Sequence, residues 1–227
     1  MLVIIKVIMI AIVLIVLLIA ALLFNKLKSN FDNNGFAPET ADYIKPIVYQ
    51  NVVTPAEADY IIKTSEQSFS ESTIVGGFNT KVRKSKTTWL YNTDPKIASI
   101  ISRICRLGDV EYENAEALQV VKYEPGGYYN EHHDACCDND PKCTEFVQKS
   151  GQRMLTMLIY LNDDFTGGET EFPKLNLKIK APKYGGIMFR PLEKNSNRCH
   201  PYALHKGTPI NSGIKYVCNV WVREGKW

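Results

Sequence analysis

The chain has 227 residues, with 27 basic and 24 acidic side chains and nothing that resembles an internal repeat, which suits one sizeable domain plus an appendage. Residues 1–30 hold Lys6, Lys26 and Lys28 and no acidic residue, so the remainder carries 27 − 3 = 24 basic against 24 acidic groups, a formal net of zero. No basic field marks nucleic acid as a partner.

Val7–Phe24 is an unbroken apolar run of eighteen residues between Lys6 and Asn25-Lys26, just long enough to cross a bilayer as a helix. A cleaved signal peptide has a shorter apolar core and a small-residue cleavage site, so residues 1–28 are expected to form an uncleaved anchor. Lysines on both flanks leave its orientation open. Residues 29–43, polar and containing Asn33-Asn34-Gly35 and Pro38, read as a linker, and 44–227 as the folded domain.

Ile44 to Val53 alternates like a strand. Thr54-Pro55-Ala56-Glu57 then starts a helix with a capping box and an early proline, expected to run to about Ser68. Gly76-Gly77 marks a turn and Lys81 to Tyr91 reads as extended. Asp94-Pro95 opens a second helix, with Ile97, Ile100, Ile101 and Ile104 as its apolar stripe and Gly108 as its stop.

From Glu116 the pattern changes to short β-type runs: Glu116–Glu124, Gly127–Asp134, Arg153–Asn162, Leu175–Lys180, Gly186–Arg190 and Lys215–Arg223. The segment Met154–Leu161 is apolar nearly throughout, as in a strand covered on both faces. The expected architecture is mainly β, a two-sheet sandwich or jelly roll with the two helices over one sheet. Ala135 to Gly151, rich in Asp, Asn and Cys, is expected to be a long irregular loop serving as a lid or substrate loop.

The chemistry gathers around Tyr123-Glu-Pro-Gly-Gly-Tyr-Tyr-Asn-Glu-His132-His133-Asp134. In a strand, His132 and Asp134 share a face while His133 points away. Two histidines and one carboxylate make the facial triad of non-heme Fe(II), which leaves coordination positions open. His-x-Asp alone is a weak signal and needs a second histidine from His200 or His205. His205 leads through a Gly/Pro/Asn turn into a strand carrying Lys215 and Trp221, which favours it; His133 and His200 are expected to be packed or solvent-facing. Of the six cysteines, Cys136, Cys137 and Cys143 do not fit zinc-ligand spacing. A disulfide from Cys136 or Cys137 to Cys143 is expected, and spacing does not choose between them.

The ordered set Val82-Arg-Lys-Ser85, Leu118–Gly126, His132-His-Asp134, Arg153–Leu161, Gly167-Gly-Glu-Thr170-Glu-Phe-Pro173, His205, Lys215 and Asn219-Val-Trp221 resembles the prolyl 4-hydroxylases. The resemblance covers Val82 to Trp221. It implies the double-stranded β-helix fold and C4 hydroxylation of peptidyl proline with O2 and 2-oxoglutarate, releasing succinate and CO2. It further implies Fe(II) on His132, Asp134 and His205, 2-oxoglutarate on Lys215, Tyr123 and Thr170, and L-ascorbate as reductant of stray oxidised iron. Matching positions assign Arg83, Ser85, Glu116, Tyr129, Arg153 and Trp221 to a groove for a proline-rich peptide. Where the family often has an aromatic residue the chain has Ala135, and Cys136-Cys137 follows it, so the substrate loop departs from the pattern. Lysyl hydroxylases share the triad but are expected to use arginine for 2-oxoglutarate, and an inactive peptide-binding module would not need the complete set. With the anchor, the resemblance suggests a single-pass protein of the endoplasmic reticulum with a lumenal domain.

Overall fold

The computed structural model of the chain describes residues 41–73, 79–137 and 141–227, together with Ile19. The expected anchor (Ile19 apart), most of the linker and the Gly76-Gly77 turn lie outside these residues. Among the described residues no helix is long and apolar enough to cross a membrane.

Strands, numbered along the chain, form a larger antiparallel sheet in the order β1 (Ile47–Tyr49), β11 (Gly186–Phe189), β7 (Arg153–Tyr160), β14 (Lys215–Arg223), β5 (Leu118–Tyr123), β4 (Lys86–Leu90) and β2 (Ser70–Glu71). A smaller sheet has the order β10 (Leu177–Ile179), β9 (Thr170–Phe172), β12 (His205–Gly207), β6 (Tyr128–His132) and β3 (Arg83–Lys84), and β8 (Phe165–Gly167) pairs with β13 (Ile210–Gly213). This mainly β architecture is the expected jelly roll.

Period-two alternation divides the larger sheet into two faces. Leu118 and Val120, Leu155, Met157 and Ile159, and Val220 and Val222 pack in one core with the isoleucine stripe of the second helix. On the opposite face Val121, Tyr160, Val217, Ile187 and Phe189 join Phe172 of the smaller sheet in a second core. The helices thus back one sheet and leave its other face to the site. Helix α1 (Pro55–Ser65) has the capping box expected of Thr54 and Glu57, and α2 (Pro95–Gly108) is capped by Asp94. Arg103 of α2 bonds both carboxylate oxygens of Glu57, at 2.9 and 2.6 Å, locking one helix to the other.

Three expectations are corrected. Helix α1 stops at Ser65, three residues early. Lys81–Tyr91 breaks at Ser85 into β3 and β4, which belong to different sheets. The loop after Asp134 is not irregular throughout, since Pro141–Gln148 forms helix α3. Four short strands, β8, β9, β12 and β13, lacked a sequence signal because runs of three or four residues show little alternation.

Candidate metal centre and its cavity

His132 ends β6 and His205 opens β12, and the two are direct partners across the antiparallel ladder. Their rings lie 4.2 Å apart between centroids. Each Nδ1 is committed to a backbone carbonyl, His132 to Asn130 at 2.8 Å and His205 to Ala203 at 3.0 Å. Those bonds make Nδ1 the protonated nitrogen and leave the Nε2 lone pairs for a ligand. Asp134 stands two residues past His132, with Oδ1 3.8 Å from His132 Nε2 and Oδ2 3.9 Å from His205 Nε2. Thr156 donates to Asp134 Oδ2 at 2.7 Å and fixes the carboxylate plane. One donor atom from each of the three lies within 4.8 Å of the others, within reach of a single ion.

Burial, reinforced by neighbouring His205, holds His132 well below the usual imidazole range. Burial pushes Asp134 up, but His205, His132, Arg153 and the Thr156 hydroxyl outweigh it and hold the carboxyl below its usual range. A neutral imidazole beside an ionised carboxylate is the protonation state a metal needs. His133 also lines the cavity described below but is not one of this donor set, and burial lowers it to about 4.

A cavity of about 330 Å³ opens beside this triad and reaches Lys215, Tyr123 and Thr170. Strand β14 lines one wall at every second residue: Lys215, Val217, Asn219 and Trp221 all face the cavity. Lys215 is 3% exposed and pairs in register with Tyr123 of β5. Its ammonium donates to the Gly168 carbonyl at 2.6 Å and lies 4.4 Å from the Tyr160 ring centroid. Among the described residues it has no carboxylate partner within salt-bridge distance, and burial lowers it to about 7. A buried lysine facing a cavity without a counter-ion is a receptor for an anion. Gly168 has φ +68°, and a Cβ there would stand 2.3 Å from Ile210 Cδ1 and 3.2 Å from Lys215 Cδ, so glycine is needed for the carbonyl to approach the lysine. Thr170 bonds the Tyr160 hydroxyl at 2.8 Å.

The fold and the donor set are those of the 2OG-Fe(II) oxygenase superfamily, which residues 118–223 match. The chain is 42% identical over 196 residues to a protein of Acanthamoeba polyphaga mimivirus named "Putative prolyl 4-hydroxylase", covering 86% of this chain and 81% of that one. The chain belongs to the prolyl 4-hydroxylase family. It is also 30% identical to prolyl 4-hydroxylase 1 of Arabidopsis thaliana, covering 78% of this chain and 68% of that one. Among solved structures, the viral collagen prolyl hydroxylase of Paramecium Bursaria Chlorella virus-1, in its 2OG complex, superposes with a TM-score of 0.62. It shares 28% identity and covers 81% of this chain and 98% of that one.

For this family member, the residues assigned to a peptide groove divide into two groups. Arg83, Tyr129, Arg153 and Trp221 line the cavity, whereas Ser85 and Glu116 do not. The Arg83 guanidinium sits 4.6 Å over the Tyr129 ring, and Tyr129 stacks on His132 with centroids 3.5 Å apart. Ser85 stands behind Arg83, accepting from its Nε at 2.8 Å. Glu116 is 2% exposed and accepts both Arg153, through two bonds of 2.7 and 2.8 Å, and Arg223 at 2.7 Å. A carboxylate saturated by two guanidinium groups acts on the wall and is closed to the peptide. Arg153 then spans from Glu116 to the Asp134 carbonyl (3.4 Å) and covers the Trp221 ring at 3.6 Å.

Sequence reasoning missed Tyr160, Arg223 and the two phenylalanines that enclose His205, Phe172 and Phe189, at 5.6 and 4.8 Å between centroids. Period-two alternation in β7 and β14 could have put Tyr160 and Arg223 on the site's face. The cysteines pair as Cys136–Cys143 and Cys137–Cys199, with Cys105 and Cys218 buried as free thiols. His200 is buried, caps the turn at Tyr202 N and reaches the Ala41 carbonyl, as a packed residue.

Proposed function

We propose that the chain hydroxylates peptidyl proline at C4, consuming O2 and 2-oxoglutarate and releasing succinate and CO2. The observation that carries this is the sharing of one cavity by a His–Asp–His donor set and a buried lysine without a carboxylate partner among the described residues. The donors fit Fe(II), being two imidazole Nε2 atoms and one carboxylate with further positions free. When bound, Fe(II) with 2-oxoglutarate supplies the oxidising power for C–H hydroxylation.

The residues of the chain divide the rest of the work. His132, Asp134 and His205 hold the metal on one side. Lys215 takes the far carboxylate of 2-oxoglutarate, with Tyr123 beside it and Thr170, braced by Tyr160, as a polar neighbour. Val217 and Phe165 exclude water from that end, which strengthens the ion pair. Tyr129 and Trp221 offer aromatic faces to an extended proline-rich chain, a ligand class suited to such surfaces. L-Ascorbate serves as reductant when the iron is oxidised without substrate.

A single-pass anchor over Val7–Phe24 tethers the domain, with the catalytic part in the lumen of the endoplasmic reticulum. Two disulfides support an oxidising compartment for the domain.

The test is the purified full-length chain with Fe(II), 2-oxoglutarate and a library of proline-rich peptides, read by mass spectrometry. The expected product gains one oxygen atom on proline, and no such product from any peptide sinks the proposal. Metal analysis should find iron lost in His132→Ala and His205→Ala and retained in His133→Ala. Loss only in His133→Ala would reassign the ligand strand face.

A further inference from the structure

A second recess of about 310 Å³ adjoins the catalytic cavity and shares Thr73, Trp89 and Gln119 with it. It lies over β2 and β4, beyond the edge of the triad's own cavity. Its aromatic members are exposed: Trp89 by 37% and Tyr91 by 62%. The rest of its lining is mostly hydroxyl and amide, including Ser70, Thr87 and Gln119, with Glu71 as its one charged residue among those described. Aromatic faces interleaved with neutral polar groups suit a chain that is apolar along one edge and presents unpaired backbone carbonyls. A polyproline II segment has both properties, because it makes no internal hydrogen bonds.

Register connects the two recesses. Trp89 pairs with Gln119 of β5, and Gln119 with Asn219 of β14, so these three form one row across the sheet. Gln119 accepts from Asn219 at 3.1 Å, which ties the row together. Trp221, the next residue of β14 on this face, has its ring centroid 6.1 Å from that of Trp89. Its indole N–H is buried and finds no acceptor among the described residues, although Trp221 is only 5% exposed and lines the catalytic cavity. A buried donor of this kind normally has a partner.

We infer that the recess at Trp89 and Tyr91 is a second peptide subsite, taking a proline about three residues removed from the one held in the catalytic cavity. The inference rests on the proline-hydroxylase reading and adds the substrate spacing. Asn219 lines the catalytic cavity, and from its wall to Trp89 is two strand spacings, roughly 10 Å. Polyproline II rises about 3.1 Å per residue and repeats every third residue, so a proline about three positions away arrives at Trp89 with the same edge presented. The occupant is the substrate's own flanking chain.

The experiment uses the full-length chain and peptides of one length with a single target proline. One set has a second proline three residues before the target, one has it three residues after, and one has alanine at both places. One of the two spacings should lower KM on the order of tenfold, the effect of one aromatic anchor in a peptide interface. Trp89→Ala and Tyr91→Ala should each reduce that advantage severalfold, while Trp89→Phe preserves most of it and separates lost contact from lost fold. Equal KM across the three sets, with product formed, overturns the second subsite and leaves the hydroxylase reading standing. An advantage that survives in both alanine variants overturns it too. No product from any peptide overturns the hydroxylase reading and this inference together.

Discussion

At the scale of single residues, Lys215 is the group whose state changes most when its ligand arrives. Burial lowers it from 10.5 to about 7, with Glu169 opposing and Lys180 assisting. The folded-state value lies below the unfolded one, so between about 7 and 10.5 the unfolded chain binds more protons and stability rises with pH through that window. A docked carboxylate reverses the preference and draws the lysine back to its charged form. Binding of 2-oxoglutarate at about pH 8 should therefore take up a substantial fraction of a proton. Calorimetry in buffers of different ionisation enthalpy measures this directly, and binding enthalpies that do not depend on the buffer would remove the lysine from the role. Lys215→Met should abolish the uptake and weaken 2-oxoglutarate by about a hundredfold or more, the order expected when one partner of a buried charge pair is removed.

At the scale of elements, β14 organises the site, because a single strand presents Lys215, Val217, Asn219 and Trp221 toward it at every second residue, with Arg223 continuing the row behind the wall on Glu116. Much of this was legible in the sequence. The alternation that groups Lys215 with Val217 and Trp221 is a local property of strands and survives folding, whereas the expected strand through Asp134 ends at His132, so Asp134 joins the donor set from the bend beyond β6. The position of Glu116 was not legible, since its two arginine partners lie 37 and 107 residues away and no periodicity links them. Ser85 was misplaced for a similar reason: it sits where the chain crosses from one sheet to the other and turns its hydroxyl toward Arg83. The Glu116–Arg153–Arg223 cluster joins β7 to β14, and Arg223 also donates to the carbonyls of Phe146 and Gly151, holding helix α3 against the sheet. Glu116→Ala leaves two guanidinium groups uncompensated beneath the wall and should cost roughly 3–5 kcal/mol. That corresponds to a fall in melting temperature on the order of ten degrees, with Trp221 losing the cation that covers it. A melting temperature within about one degree of the parent would show that the cluster contributes little net stability.

At the scale of the whole molecule, the unusual Cys136-Cys137 pair acquires a reason that neighbouring sequence could not supply. Cys136 closes a short loop with Cys143, as spacing allowed, whereas Cys137 reaches Cys199 across 62 residues. That second bridge connects the segment just after Asp134 to the segment leading into His205, so it ties together the two stretches that carry ligands to one metal. Gln152 adds to the tie by bonding both the N–H and the carbonyl of Cys136, at 2.9 and 2.6 Å. A cross-link closing a loop of this length removes chain entropy worth about 4 kcal/mol from the unfolded state. The paired substitution Cys137→Ala with Cys199→Ala should therefore lower the melting temperature by on the order of ten degrees. It should also weaken iron binding, since Asp134 and His205 would no longer be joined by a covalent path on that side. Metal titration of the variant well below its melting temperature separates the two effects. Unchanged iron affinity in a destabilised protein would show that the ladder between β6 and β12 alone holds the donors in place, and the bridge would then serve stability only.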